Sequence, residues 1–301
     1  MKKTNIIFLS TTILFVIITI VVIKNNISKK DDKTYPWYFE SLQLNRNYKY
    51  QKRDNPIKVA FLDTGLDYNI LPLMKNDVID GYNCITDTTD FNDLNGHGTS
   101  VISLAAFKGD EIEYEGIYKD IEVVPVVVAD ETGKTCEEYL YKRIEYAISK
   151  DVDIINISLG SQKSSEKIDM ALYQAYCNNI LVICSTGDYK ELEITFPARS
   201  EYTIAISSQS ILGIPFLNAN YDDTCLFIPG ESISVLKWNS YDSKFDVGIE
   251  NGSSYACAIF TGIAAMYLSN ENNNVLMLRN DIQSIIATQN NNFFDTYSFV
   301  L

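Results

Sequence analysis

Histidine is nearly absent from this chain, because His97 is the only one among 301 residues. The six cysteines show neither C-x-x-C nor Cys/His ligand spacing, so no zinc site can be built from them with a single histidine. We expect most of the cysteines to be reduced and buried as small apolar side chains, with three disulfides in an extracellular domain as the alternative. The six are Cys84, Cys136, Cys177, Cys184, Cys225 and Cys257.

Basic residues are also scarce, with 25 lysines and arginines against 39 aspartates and glutamates and a formal net charge of -14. A chain this acidic repels the phosphate backbone, so we predict no nucleic-acid partner. The apolar fraction is 46%, which can fill a sizeable core in one large domain or two small ones. The composition therefore indicates a globular protein and excludes a disordered one.

Charge is missing altogether from residues 4–23, and residues 6–23 would span about 27 Å as a helix. No small-residue A-x-A cleavage signature follows this segment, which favours an uncleaved anchor over a removed secretory peptide. We predict a transmembrane anchor at residues 1–23, a charged linker at residues 24–34 and a folded domain at residues 35–301.

Lysines lie on both sides of the predicted anchor, and lysines mark the cytoplasmic side of a membrane. The count favours a cytoplasmic body, but a short N-terminus often breaks the rule, so the side stays open. We therefore predict a single-pass protein of the cell membrane. Two lysines precede the segment and four follow it, namely Lys2 and Lys3, then Lys24, Lys29, Lys30 and Lys33.

Five short runs in the remaining chain are apolar at nearly every position, which is typical of strands buried on both faces of a parallel sheet. Helical patterns separate several of them. Thr135 and Glu138 form a T-x-x-E capping box before one such pattern, and another covers residues 165–178. The alternation predicts an α/β fold with a doubly wound, mostly parallel sheet flanked by helices. The predicted strands are residues 57–62, 123–129, 152–159, 180–185 and 202–207.

Three polar residues are candidates for a functional site. In parallel sheets, ligands bind outside the carboxyl ends of the strands. Asp63 ends the first strand, and the tight Thr64-Gly65 exit predicts a carboxylate at the rim of the sheet. His97 lies between two glycines ahead of an apolar helical run. Ser254 opens a long apolar helix, where free N–H groups favour negative charge. Taken singly, the aspartate is equally well explained as a cap, and the serine is better explained as an ordinary helix N-cap.

Together, the blocks "VAFLDTGLD", "NGHGTSV" and "NGSSYACAIFTGIAA" resemble the three signature blocks of the subtilisin-like serine proteases, in the same chain order. The similarity runs from about residue 37 to about residue 288. It passes through "VDIINISLG", "ILVICSTGD", "IPGE" and the final helix near "LMLRNDIQSIIA". Three ordered blocks are far more specific than any one of them.

The resemblance implies that Ser254 attacks a peptide carbonyl, that His97 takes its proton and returns it to the leaving amine, and that Asp63 orients the imidazole. It also implies a substrate groove whose edge pairs with an extended peptide. The groove residues would be Ser158, Leu159, Gly160 and Gly187.

One residue departs from the family pattern in a way that matters for catalysis. Family members usually carry Asn after the glycine of the fourth-strand block, and its amide donates to the oxyanion, whereas this chain has Asp188. An ionised carboxylate accepts hydrogen bonds and repels the developing charge. We therefore predict an oxyanion hole in which Asp188 is either protonated and donates, or ionised, leaving only the N–H of Ser254.

Metal ions and cofactors have no evident place in this chain, and we assign neither. Asp87, Asp90 and Asp93 form a carboxylate cluster, but their spacing matches no calcium loop, so we interpret them as a solvated loop.

The sequence thus predicts a monomeric, membrane-anchored serine endopeptidase that cuts or matures a peptide or protein substrate. Too few residues separate the anchor from the first strand for a propeptide domain, and this resembles family members that remove leader peptides from bacterial precursor peptides. The alternative is a degenerate subtilisin-like domain that binds an extended peptide without cutting it, for sensing or immunity. Asp188 favours the alternative, and the intact Asp63, His97 and Ser254 favour the enzyme.

Overall fold

A seven-stranded parallel sheet forms the centre of the domain in this computed structural model, which describes residues 36–44, 53–190 and 193–289. The predicted anchor at residues 1–23 and linker at residues 24–34 lie outside the described residues. Within the described part, no helix is both long enough and apolar enough to cross a membrane.

The strand order places the carboxyl end of β1 at a switch point of the sheet. β1 pairs with β3 on one side and with β4 on the other, and the order across the sheet is β2-β3-β1-β4-β5-β6-β7. Ligand crevices in open α/β sheets form at such a reversal. The strands are β1 (Ile57–Asp63), β2 (Tyr82–Asn83), β3 (Ile121–Val127), β4 (Ile154–Ile157), β5 (Leu181–Ser185), β6 (Thr203–Gln209) and β7 (Leu226–Pro229).

Helices cover both faces of this sheet. α2 and α5 pack against each other, and α5 also packs across β4, β5, β6 and β7. α3 and α4 pack together over the opposite face. The helices are α1 (Trp37–Ser41), α2 (His97–Ala106), α3 (Glu137–Ser149), α4 (Glu166–Cys177), α5 (Ser253–Leu268) and α6 (Val275–Gln289).

The pleat of the strands decides which side chains meet α2 and α5. Ala60 and Leu62 of β1 belong to the core shared with α3 and α4. Because successive side chains of a strand point to opposite faces, Asp63 is directed to the face that carries α2. The same parity in β4 directs Ile155 into the α3 and α4 core and Asn156 toward α5. The sheet therefore delivers Asp63 and Asn156 to the same face.

The predicted α/β class with a mostly parallel sheet is confirmed, and all five predicted strands and both predicted helices are present with ends shifted by a few residues. The prediction that Thr135 and Glu138 form a capping box was wrong. The hydroxyl of Thr135 donates to the carbonyl of Val128 at 2.6 Å, and Cys136 is the N-cap of α3 without a side-chain bond to the helix. The hydroxyl of Thr135 thus bonds to a carbonyl outside the helix instead of capping a backbone N–H of α3.

An antiparallel hairpin, β8 (Ile233–Asn239) and β9 (Lys244–Glu250), was not predicted from the sequence. It forms a separate two-stranded sheet that packs on α2, where the hydroxyl of Ser100 donates to the carbonyl of Leu236 at 2.9 Å. Much of β9 is exposed, so it lacks the continuous apolar run that identifies the central strands.

The cysteines all lie within the described residues, and each of them is free. Cys84, Cys184, Cys225 and Cys257 are buried, while Cys136 and Cys177 are exposed. The structure thus agrees with reduced thiols, of which most are buried.

Candidate active site

Asp63 and His97 are joined by a hydrogen bond at the carboxyl end of β1. The Nδ1 atom of His97 lies 2.7 Å from Oδ1 of Asp63, and the N–H of Thr64 donates to the same oxygen at 2.8 Å. Asp63 is the last residue of β1, at the edge where the sequence places it, but its carboxyl group is fully buried. The imidazole, which is about one quarter exposed, lies between this carboxylate and solvent.

The two glycines beside His97 bring the start of α2 against the exit of β1. A Cβ atom on Gly98 would overlap the carbonyl oxygen of Gly65, so only glycine allows the two backbones this approach. Gly96 is the N-cap of α2 and has a φ of 96°, in the left-handed region that favours glycine. His97 is therefore the first residue of the helix and reaches Asp63 directly.

Asp93 holds the loop that precedes His97. Its Oδ1 accepts from the N–H groups of Asn95 and Gly96 at 2.9 and 2.8 Å, and its Oδ2 accepts from the N–H and the hydroxyl of Thr99 at 2.8 and 2.7 Å. Asp93 is buried. Its interpretation as part of a solvated loop was therefore wrong, since it satisfies orphan donors at the N-terminus of α2.

The three aspartates of the proposed cluster are used separately. Asp87 accepts from the hydroxyl of Tyr82, Asp90 accepts from the hydroxyl of Tyr68, and Asp93 is saturated by its own loop. Among the described residues, no group of three acidic, histidine or cysteine side chains is arranged to hold a metal ion.

The surroundings of His97 favour its charged form. Burial lowers the pKa of the imidazole, whereas the charge of Asp63 and the hydrogen bond to it raise that pKa. The charges of Asp93 and Glu250 add to the rise. The carboxylates outweigh burial, so the pKa of His97 lies above its usual value of 6.5. An imidazolium formed by proton uptake is stabilised here.

Ser254 is the second residue of α5, next to Tyr255, whose ring centroid lies 5.9 Å from that of His97. The hydroxyl of Ser254 donates to the carbonyl of Ser158 at 3.2 Å, and no hydrogen bond between Ser254 and His97 is present in the described residues. The structure thus brings Asp63 and His97 into contact. Ser254 lies in the first turn of α5, and its hydroxyl points to the predicted groove residue Ser158.

Asn156 is a further site residue that the sequence reasoning missed. Its side-chain amide donates to the hydroxyl of Thr261 at 2.9 Å and to the sulfur of Cys257 at 3.2 Å, and its oxygen accepts from the hydroxyl of Ser158. These bonds tie β4 to the helix that begins beside Ser254. One amide inside the apolar run "VDIINISL" was the signal that could have identified it.

Asp188 is bound by the start of α5. The N–H of Ser253 lies 2.9 Å from its Oδ1 and 3.0 Å from its Oδ2, and the hydroxyl of Ser253 donates to Oδ2 at 2.9 Å. That hydroxyl in turn accepts from the N–H of Gly187 at 3.1 Å. Both carboxylate oxygens are therefore acceptors in a cap of the helix, and the arrangement presents no donor from Asp188.

The pKa of Asp188 lies above its ordinary value of 3.8. Burial raises it, and this effect exceeds the lowering by the hydrogen bonds from Ser253 and by the charge of His97. Ser254 is the second residue of α5, so its N–H is one of the groups at the N-terminus that the helix itself leaves without an acceptor.

The predicted groove residues lie after β4 and β5. Leu159 packs against the buried core, and Gly160 is exposed. The buried side chain of Thr195 fills the space between the two glycines of the groove: a Cβ on Gly160 would overlap its hydroxyl oxygen, and one on Gly187 would lie 2.9 Å from its Cγ2. No motif in the sequence indicated this contact.

Comparison with known proteins places this chain in a family. The model of the subtilase family, peptidase S8, matches residues 54–298. The major intracellular serine protease of Bacillus subtilis (strain 168) is 33% identical over 228 residues, which cover 71% of this chain and 69% of that protein. The minor extracellular protease Epr of the same organism is 25% identical over 231 residues, covering 76% of this chain but only 35% of Epr.

Among solved structures, a cold-adapted subtilisin-like serine proteinase superposes with a TM-score of 0.66 at 22% identity. The superposition covers 81% of this chain and 88% of that one, which shows that the fold is shared. With the family match across most of the described residues, the chain belongs to the subtilase family.

Proposed function

We propose that this protein is a membrane-anchored serine endopeptidase that cleaves a peptide or protein substrate with Asp63, His97 and Ser254. The hydrogen bond of 2.7 Å between Asp63 and His97, at the switch point of the sheet and beside the helix that starts at Ser253, is the observation that carries the proposal. Membership of the subtilase family supports it.

The histidine tautomer follows from its partner. A carboxylate can only accept, so Nδ1 of His97 carries the proton that Asp63 binds, and Nε2 is left as the base. The proposed mechanism requires a rotation of χ1 that turns the hydroxyl of Ser254 from the carbonyl of Ser158 toward this nitrogen. Apo sites commonly tighten such contacts only when substrate is bound.

Hydrolysis then proceeds in two stages. His97 takes the proton of Ser254 as the oxygen attacks the scissile carbonyl, and returns it to the amine as the C–N bond breaks. A water molecule, deprotonated by the same imidazole, hydrolyses the resulting acyl ester. The carboxylates that raise the pKa of His97 stabilise the imidazolium present in both stages.

The oxyanion relies on the backbone in this proposal. The N–H of Ser254 and the N-terminus of α5 favour negative charge there, while Asp188 is occupied as an acceptor by Ser253. A missing side-chain donor costs about 2.7–4 kcal/mol of transition-state stabilisation, so we propose a slow enzyme.

Residues 158–160 form the edge that pairs with an extended substrate on the acyl side of the scissile bond. A precursor peptide with a leader segment is the narrower substrate that we propose, and the enzyme acts as a monomer.

The anchor proposal rests on the uncharged segment at residues 6–23. The lysine count favours a domain on the cytoplasmic side. Cys136 and Cys177 are exposed, so a membrane-impermeant maleimide reports the side directly. We expect labelling only after cell lysis, and labelling of intact cells would contradict a cytoplasmic domain.

A fluorophosphonate probe tests the catalytic proposal with the full-length chain in detergent between pH 5 and 9. We expect covalent labelling of the parent and of Ser253→Thr, which keeps the neighbouring hydroxyl, but none of Ser254→Ala. Absence of labelling that depends on Ser254, together with retained binding of an extended peptide, would replace the enzyme by a peptide-binding domain.

A further inference from the structure

A cavity of about 460 Å³ opens beside His97, between the loop before α2 and the β8–β9 hairpin. This volume falls within the range of about 300–1,000 Å³ that is common for ligand pockets. Its walls include Leu94, Trp238, Phe245 and Tyr255 in addition to the imidazole. The cavity is not part of the predicted groove at residues 158–160, and the proposed roles of Asp63, His97 and Ser254 do not explain it.

The cavity is separate from the predicted groove, although it shares the neighbourhood of His97. None of the groove residues lines it, while His97 and Tyr255 do. Because His97 delivers its proton to the leaving amine, the fragment that begins with that amine must run past the imidazole. The first residues after the scissile bond are therefore the part of the substrate that reaches this cavity.

The apolar walls of the cavity are unusually exposed for large side chains. Leu94 is 72% exposed and Trp238 is 39% exposed, although Trp238 packs edge-on against the buried Phe245 with ring centroids 5.2 Å apart. Burial of such surface by a ligand is favourable, and exposed apolar side chains that surround a concave site mark a binding site.

The aspartates and the lysine in the wall of the cavity already have partners within the protein. Asp93 is saturated by its own loop, Asp67 accepts from the N–H and the side chain of Asn69, and Lys237 pairs with Glu250. A charged ligand group would have to compete with these contacts, whereas an apolar side chain would only displace water.

From these observations we infer that the cavity binds a large apolar side chain, aromatic or branched aliphatic, in the first two residues after the scissile bond. Trp238 and Leu94 are its specificity-determining residues. The inference rests on the proposed function and adds a substrate class to it: precursors whose released C-terminal fragment has a large apolar residue at one of its first two positions.

Cleavage-site profiling tests this inference. The full-length parent in detergent is incubated with a peptide library derived from a bacterial proteome, and the cut sites are identified by mass spectrometry. We expect large apolar residues to be enriched at the first two positions after the cut. Trp238→Ala and, as a second variant at an exposed position, Leu94→Ala should lose that enrichment. Tyr241→Ala, on the same hairpin but outside the cavity, should keep it.

A matched pair of substrates then separates binding of the leaving fragment from general damage. The best library peptide is compared with a p-nitroanilide that carries the same acyl segment and no residue beyond the cut. In Trp238→Ala, kcat/KM for the peptide should fall about tenfold further than kcat/KM for the anilide. Equal losses on both substrates, or no enrichment in the parent profile, overturn the inference. Absence of any cleavage that depends on Ser254 overturns the proposed function instead.

Discussion

Both carboxylate oxygens of Asp188 accept hydrogen bonds from Ser253, the residue that precedes the candidate nucleophile. The acid that replaces the usual asparagine thus serves as a cap of α5. Two chemical roles, capping and oxyanion binding, compete for one side chain at this helix N-terminus.

Replacement of Asp188 by Asn should raise kcat. The amide oxygen can still accept from Ser253, while the amide nitrogen adds a donor and removes a negative charge next to the oxyanion. We expect a gain of about tenfold or more, up to the 10²–10³ that one such donor commonly supplies. Steady-state kinetics on a peptide cleaved by the parent measure it, with thermal melting as the control for folding.

The pH profile of the same pair distinguishes the protonation states of Asp188. Burial raises the pKa of this carboxyl group, which extends its protonated form to higher pH. If the acid were the oxyanion donor, kcat of the parent would fall as pH rises through that pKa, and Asp188→Asn would lose the decline. Such a decline, or a folded but slower Asp188→Asn variant, would contradict the proposal that Asp188 is ionised and only caps α5.

Asp93 should be a main determinant of stability around the candidate site. Asp93→Ala leaves the N–H groups of Asn95, Gly96 and Thr99 without their acceptor, so we expect the free energy of unfolding to fall by roughly 2–4 kcal/mol. Urea denaturation measures the loss. Asp90→Asn, an exposed carboxylate of the same loop, should change the free energy by less than about 0.5 kcal/mol, and equal effects would refute the assignment.

The contact between Gly160 and Thr195 predicts a strong coupling between two groove positions. Gly160→Ala introduces a Cβ that overlaps the Thr195 hydroxyl, which should cost about 1–3 kcal/mol of stability. Thr195→Gly removes the obstacle, so the double variant should recover much of the loss that Gly160→Ala causes. A double-mutant cycle by urea denaturation should give a coupling energy of about 0.5–3 kcal/mol, and strictly additive effects would contradict the contact.

The sequence was sufficient for five of the seven strands of the central sheet and for the family. Runs such as residues 57–62 and 180–185 are buried on both faces and therefore apolar throughout, so they identify themselves as strands of a parallel sheet. His97 was identifiable because it is the only histidine and stands between two glycines in a recognisable block.

What could not be predicted depends on contacts between distant segments. Asp93 looked like one acidic residue of a loop, and only the folded chain shows its four bonds to the start of α2. The hydroxyl of Thr135 donates to the carbonyl of Val128 and does not form the predicted capping box. β8 and β9 pair with each other in a separate sheet, and much of β9 is exposed. The hairpin therefore lacks the continuous apolar run from which a strand could be predicted.

Asp63→Asn should nearly abolish activity and lower the pKa of His97. The change removes the charge and the ionised acceptor that raise this pKa, and an amide at this place favours the wrong imidazole tautomer. We expect kcat to fall by ~10⁴-fold. A folded Asp63→Asn variant with near-parental kcat would contradict the role of Asp63.

The raised pKa of His97 also has a consequence for stability. The folded state binds the proton more tightly than the unfolded state does, so the contribution of His97 to stability is fully present below about pH 6.5. It is lost as pH rises through the raised pKa of the folded protein. The free energy of unfolding, measured by urea denaturation across this range, should therefore decline less with rising pH in Asp63→Asn than in the parent.

The central claim is that His97 is the base that activates Ser254, and a chain with one histidine allows a direct test. A ¹⁵N NMR titration of the single imidazole gives its pKa without assignment, and the pH dependence of kcat/KM gives the pKa of the base in the free enzyme. The account predicts that the two midpoints coincide at a value above 6.5, with activity increasing as the imidazole loses its proton. Midpoints that differ, or a rate that does not follow the titration of His97, would contradict it.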